Sequence, residues 1–232
     1  MNKGVAYCVG VGPGDPELLT VKAVRLIREG AVIAVPGEEA KESLAYRIAA
    51  AAVPELAGKE VLAVPMPMTR DRAALEQAHR AGAEMLETVL SRGRDVVYLT
   101  LGDPTVYCTF SYLQHILEAD GFTVELVPGV PSFCAAAARL GQPLTEWDQV
   151  LHVVPGAHMA EDALAMAGTC VLMKSAGRMP QVKEALRQSG RDAAAVENAT
   201  METEKIYRGV EDIPDDAGYF TLIVAKQRRD ND

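Results

Sequence analysis

Three short segments of this 232-residue chain carry residue types suited to chemistry at close quarters. The first is Gly10-Val11-Gly12-Pro13-Gly14-Asp15-Pro16, which follows a β-branched run. Its glycines let the backbone approach a ligand, and its prolines stiffen the loop. Asp15 can orient a substrate or accept a proton, and it can equally cap the helix that follows. The second is Gly102-Asp103-Pro104, at the end of the most apolar strand pattern, where a carboxylate suits an amine or a ribose hydroxyl. The third is Pro128-Gly129-Val130-Pro131-Ser132-Phe133. Its small residues admit a flat ligand, and the same residues suit a domain linker. Taken singly, each segment is a common turn.

Several chemistries are disfavoured. Glycines at 10, 12 and 14, interrupted by Pro13, break the dinucleotide fingerprint, and Val35 is followed by Pro36-Gly37 rather than by an acidic residue. His79, His115, His152 and His158 lack metal-ligand spacing, so no metal site is expected and surface or packing roles are. Cys8, Cys108, Cys134 and Cys170 contain no C-x-x-C pair and read as ordinary buried thiols of a reducing cytoplasm. A net charge of -9 argues against a general nucleic-acid binder. No apolar run approaches the roughly 20 residues of a membrane span. The chain starts without a signal-peptide pattern, and the cytoplasm is the expected compartment.

The elements that must position these segments alternate between strand and helix. Hydrophobic residues make up 49% and aromatics only 5%, so the core is expected to be Ala, Val, Leu and Ile in a layered α/β fold. Strand patterns fall at 4–12, 31–35, 60–64, 95–101, 123–127, 149–154, 170–174, 193–197 and 219–225. Helical patterns fall at 17–28, 43–52, 71–92, 109–119, 133–140, 159–167 and 180–189. Asp15 and Ser132 are placed to cap helices, and the tail from Gln227 reads as frayed. Pro/Gly breaks near the middle suggest two α/β domains, 1–125 and 126–232.

In combination, the segments resemble the tetrapyrrole methylases, which use S-adenosylmethionine, from Val9 to Lys226. The likeness is strongest to the branch that methylates C20 of precorrin-2 or its cobalt-loaded counterpart (cobalt-precorrin-2, cobalt-factor II) in cobalamin (vitamin B12) biosynthesis. It rests on Pro65-Met66-Pro67-Met68-Thr69-Arg70-Asp71, on Thr100 through Phe110, on Pro128 through Gly141, on Val171-Leu172-Met173-Lys174 and on Tyr219 through Lys226.

The resemblance implies two α/β domains with an active-site cleft between them and a methyl donor held largely by backbone. Carried over, the donor contacts are Leu101, Gly102, Asp103, Val106, Tyr107, Ser132, Phe133, Met173, Ala199 and Thr221. The Gly12-Pro13-Gly14-Asp15 loop faces the tetrapyrrole, with Asp15 the candidate catalytic residue and Arg70 a further substrate contact. Because the macrocycle carries many carboxylates, Lys22, Arg25, Arg28, Arg72, Arg139, Lys174 and Arg178 are additional candidate cations. The acidic 37–42 loop fits poorly beside a polyanion. A homodimer is expected, with cobalt present, if at all, only within the substrate. Three alternatives stay open: a sister methylase acting on uroporphyrinogen III or another precorrin position, a non-catalytic tetrapyrrole carrier, and a nicotinamide-dependent oxidoreductase.

Overall fold

A computed structural model describes residues 3–69 and 71–228. The chain divides after Pro131 into two compact units, each built on a five-stranded sheet. Both are mixed α/β, as the strand–helix alternation predicts.

In the first unit, β1 (Val5–Gly10), β2 (Val32–Pro36), β3 (Glu60–Val64), β4 (Val96–Thr100) and β5 (Thr123–Val127) pair in parallel in the order β3-β2-β4-β1-β5. Parallel strands need crossovers, supplied by α1 (Val21–Glu29), α2 (Leu44–Ala52), α3 (Arg72–Leu90) and α4 (Phe110–Ala119). The two-residue period of a strand sorts its side chains to opposite faces. Val9, Val97 and Leu99 meet Ala23, Ile27 and Ala49 of α1 and α2. Ala6, Cys8 and Tyr98 meet Leu86 of α3 and Leu113 of α4. Helices thus cover both faces, which is why β4 is buried throughout.

Local chemistry sets the helix ends. The expected helix at 17–28 is instead two elements. Asp15 caps only a short 3-10 turn, Pro16–Leu18, through a 2.8 Å bond from the Glu17 amide to Oδ1. The hydroxyl of Thr20 then caps α1 by accepting from the Ala23 amide at 3.1 Å. Asp71 is the N-cap of α3, not its first residue, and accepts from the amides of Ala73 and Ala74.

In the second unit, β6 (Leu151–Pro155), β7 (Thr169–Met173), β8 (Asp192–Glu197), β9 (Lys205–Tyr207) and β10 (Thr221–Lys226) form a mixed sheet in the order β6-β7-β10-β8-β9. Strands β6 and β7 are parallel, and β10 runs antiparallel to both β7 and β8. One face packs on α6 (Ala160–Ala165) and α7 (Met179–Ser189), the other on α5 (Ser132–Leu140). Ser132 is the first residue of α5. The short strand β9 has no counterpart in the sequence patterns. Strand β10 begins at Thr221, two residues later than expected, and leaves Tyr219 and Phe220 exposed, edge to face.

Candidate active site

The first unit's sheet has its topological switch point between neighbouring strands β4 and β1. The connection from β1 leads to α1 on one face, and the connection from β4 leads to α4 on the other. Loops that leave adjacent strand ends for opposite faces open a crevice, where open α/β sheets take their ligands. The loops after β1 and β4 carry the first two segments singled out in the sequence, and the loop after β5 carries Pro128–Pro131 of the third.

Backbone meets backbone at this edge. Gly12 and Gly102 form an isolated antiparallel bridge, with the Gly102 amide donating to the Gly12 carbonyl at 2.8 Å and the Gly12 amide to the Gly102 carbonyl at 3.2 Å. Both have positive φ, 74° and 71°, in the left-handed region that glycine tolerates. A Cβ on Gly10 would lie 2.5 Å from the Gly102 carbonyl oxygen, and one on Gly129 would lie 2.2 Å from it. Only glycine fits at these three converging strand ends.

Asp103 holds them together. Its Oδ2 accepts from the Gly129 amide at 2.9 Å, and its Oδ1 accepts from the amide of Thr105 at 2.8 Å and from the Thr105 hydroxyl. The residue is only 7% exposed. Both oxygens are therefore engaged within the chain, and the side chain fixes the loop after β4 against the loop after β5. Sequence reasoning missed this link because the partner amide lies 26 residues away.

In the second unit the expected contacts gather at one end of the sheet. Met173 closes β7 and Thr221 opens the neighbouring antiparallel β10, one position out of register, so their side chains leave opposite faces of the sheet; Thr221 also pairs with Glu197, two residues before Ala199. Thr221 is 1% exposed, and its hydroxyl has no hydrogen-bond partner. Buried hydroxyls are seldom left so, and one without a partner points to a missing ligand or water. Ser132 and Phe133 are half-buried at the start of α5, with Phe133 packed on the cluster that includes Ala199.

Backbone strain marks the same positions. Four non-glycine residues with left-handed φ adjoin or belong to the expected contacts: Tyr107 (49°), Lys174 (55°), Asn198 (53°) and Thr200 (67°). The fifth, Trp147 (53°), is fully exposed. Strained non-glycine backbone concentrates where structure serves a ligand.

Pro13 is buried, and Gly14 and Asp15 are half-buried in the loop after β1. Arg70, the expected substrate contact, lies outside the described residues. Several candidate cations are paired on the surface: Lys22 with Glu125, Arg25 with Glu29, Arg28 with Glu55 and Arg139 with Glu204. Glu38, Glu39 and Glu42 of the acidic loop are exposed. Among the described residues no group of three or more His, Cys, Asp and Glu could hold a metal. No helix among them is long and apolar enough to cross a membrane.

The thiols depart from expectation. Cys8 and Cys170 are buried, but Cys108 is half-buried and Cys134 is exposed. Burial pushes the Cys8 thiol well above its usual range. Cys108 is drawn down to about 6, chiefly by a hydrogen bond from Cys8, with further bonds from Thr100 and the Phe110 amide outweighing burial.

The chain is similar to several known proteins. The chain is 35% identical over 212 residues to a Methanocaldococcus jannaschii protein named "Probable cobalt-precorrin-2 C(20)-methyltransferase", covering 90% of each. It is 33% identical to the precorrin-2 C(20)-methyltransferase of a Sinorhizobium species, covering 96% of this chain and 95% of that one. Among solved structures, uroporphyrin-III C-methyltransferase of Thermus thermophilus, in complex with S-adenosylhomocysteine, superposes with a TM-score of 0.71 at 26% identity, covering 96% of this chain and 97% of that one. Residues 6–213 match the family model described as tetrapyrrole (corrin/porphyrin) methylases. With glycine-lined strand ends built for close approach and relatives matched along nearly their whole length, the chain belongs to the tetrapyrrole methylases.

Proposed function

We propose that this protein transfers the methyl group of S-adenosylmethionine to C20 of precorrin-2 or of its cobalt-loaded form, in cobalamin biosynthesis. The near full-length match to two relatives named for that same ring position carries the reading. The chain's own residues fit such a donor. The Gly10–Gly102–Gly129 convergence packs the ends of β1, β4 and β5 backbone to backbone at the switch point and so fixes the loops there, and the unpartnered Thr221 hydroxyl offers a hydrogen bond.

The donor contacts in this reading are the backbone of Leu101, Gly102 and Asp103, the loop through Val106 and Tyr107, then Ser132, Phe133, Met173, Ala199 and Thr221. Asp103 acts on the donor through the loops it ties together. Gly12, Pro13, Gly14 and Arg70 take the macrocycle side, where Asp15 orients the substrate or accepts the proton lost from the methylated carbon. The sulfonium supplies an activated methyl group that an electron-rich ring carbon attacks in line, so positioning rather than a protein nucleophile is what the chain contributes; good positioning is worth about 7–11 kcal/mol. A homodimer working in the cytoplasm completes the reading, and sedimentation of the pure protein tests its assembly.

The decisive experiment incubates the protein with donor and either metal-free or cobalt-loaded precorrin-2, followed by mass and NMR analysis of the product. A single new methyl at C20 is expected. A methyl at another position assigns the chain to a sister activity, and tetrapyrrole binding without turnover overturns the enzymatic reading. The two relatives' names differ over cobalt, so the parallel arms also identify the preferred substrate.

A further inference from the structure

We propose that Cys8 and Cys108 form an oxidisable thiol pair, in which Cys108 reacts with a peroxide and Cys8 then closes a disulfide beneath the loop that follows β4. Cys8 lies on β1 and pairs in register with Tyr98 on β4, so both side chains face the same side of the sheet. Thr100, two residues beyond Tyr98, faces that side too, and its hydroxyl lies 3.2 Å from the Cys108 sulfur. Cys108 packs against the buried cluster containing Cys8 and Tyr98, yet it is itself only half-buried. The arrangement therefore pairs a half-buried cysteine with a fully buried one in the same cluster.

Two further observations support reactivity here. The Cys108 sulfur lies 3.2 Å from the Thr100 hydroxyl, and its thiol is drawn down to about 6, chiefly by Cys8, which favours the thiolate, the nucleophilic form. The Tyr98 hydroxyl, on a side chain 1% exposed and electrostatically coupled to both thiols, has no hydrogen-bond partner.

The chemistry balances with peroxide as the oxidant. The Cys108 thiolate attacks one peroxide oxygen, forming an S–O bond as the O–O bond breaks, and the other oxygen leaves as water after taking up a proton. The Cys8 sulfur then attacks the Cys108 sulfur; an S–S bond forms, the S–O bond breaks, and the Cys8 proton leaves with the oxygen as a second water. Sulfur supplies the two electrons that peroxide consumes. The loop carrying Cys108 also carries Leu101 through Tyr107, so a bond to β1 alters donor binding. That consequence rests on the proposed function, whereas the bond itself does not.

The test treats the full chain with a small excess of hydrogen peroxide and maps unreduced peptides by mass. We expect the Cys8 and Cys108 peptides linked, two hydrogens lighter, and separated again by dithiothreitol. In Cys8→Ala the reaction should stop at a Cys108 sulfenic acid that dimedone traps, and in Cys108→Ala position 8 should stay reduced. Independently, alkylation of Cys108 by iodoacetamide should level off above about pH 7, while that of exposed Cys134 rises about tenfold per unit toward pH 9. Oxidation at Cys134 with Cys8 and Cys108 left reduced, or a Cys108 profile that tracks Cys134, overturns the proposal. S-adenosylhomocysteine should bind the oxidised protein at least tenfold more weakly. A linked peptide with unchanged affinity upholds the thiol pair and counts against the donor-loop assignment instead.

Discussion

Gly129→Ala isolates the contact on which the donor site is built. A Cβ there would sit 2.2 Å from the Gly102 carbonyl oxygen and 2.9 Å from Gly10 Cα, against ordinary separations of about 3.5 Å. All the opposing atoms are backbone, so no rotamer change relieves the clash, and the strand ends must part by about 1 Å. Overpacking of this kind costs about 1–3 kcal/mol. Moving the Gly129 amide away from Asp103 Oδ2, now 2.9 Å distant, forfeits a charged hydrogen bond of about 1.5–3 kcal/mol. Together these amount to roughly 2.5–6 kcal/mol, which should lower the melting temperature by about 5–24 °C. A site displaced by about 1 Å should also lose about 100-fold in turnover. Differential scanning fluorimetry reads the first effect and a methyl-transfer rate assay the second, with calorimetric titration of S-adenosylhomocysteine reporting binding. Gly58→Ala is the control: its Cβ would meet nothing within 4 Å, and its stability should change by less than about 0.5 kcal/mol. If Gly129→Ala melts and binds like the parent chain, steric closure at the strand ends is not what shapes the site.

Three other substitutions probe the second unit. Thr221→Val removes a buried hydroxyl that has no partner in the chain, so thermal stability should hold or rise slightly while donor affinity drops about tenfold by calorimetry. Arg191, 6% exposed, donates to the carbonyls of Leu164, Met166 and Gly168; Arg191→Ala strands all three and should cost about 3–5 kcal/mol in urea unfolding. Burial, then the hydrogen bond that its hydroxyl donates to Glu197, pushes Tyr207 up to about 12. Between pH 10 and 12 the unfolded chain has therefore lost a proton that the folded one keeps, and stability falls as pH rises. Tyr207→Phe should flatten that fall relative to the parent in unfolding curves at pH 9 and pH 11, and parallel curves would dismiss the coupling.

What could be read in the sequence was local. Strand β4 is apolar at nearly every position, which announced a doubly covered strand, and the Gly/Pro segments announced the loops at its end and at the ends of β1 and β5. The fold class followed from such signals. Less visible were features fixed by partners distant in sequence. Asp103 reads as a carboxylate open to a ribose until Gly129 is seen to occupy one oxygen. Cys134 has apolar neighbours on both sides, yet one turn of α5 rotates it outward. Strand β9 has three residues, too few for any periodicity to register. The segment after β1 splits into two elements because Asp15 and Thr20 are both good caps, and Pro16 commits the first to a separate turn.

The last strand of the second unit has a consequence for how the protein is made. Among the described residues, strand β10 alone bridges the β6-β7 pair and the β8-β9 pair, yet it is translated after all four. Until residues 221–226 leave the ribosome, those two hairpin-sized pieces have their inner edges open to pairing with other chains. The first unit's sheet, complete at Val127, is free to form earlier. A growing chain thus carries a finished half and a waiting half, and stalled synthesis just short of Thr221 would leave the waiting half exposed to chaperones and aggregation.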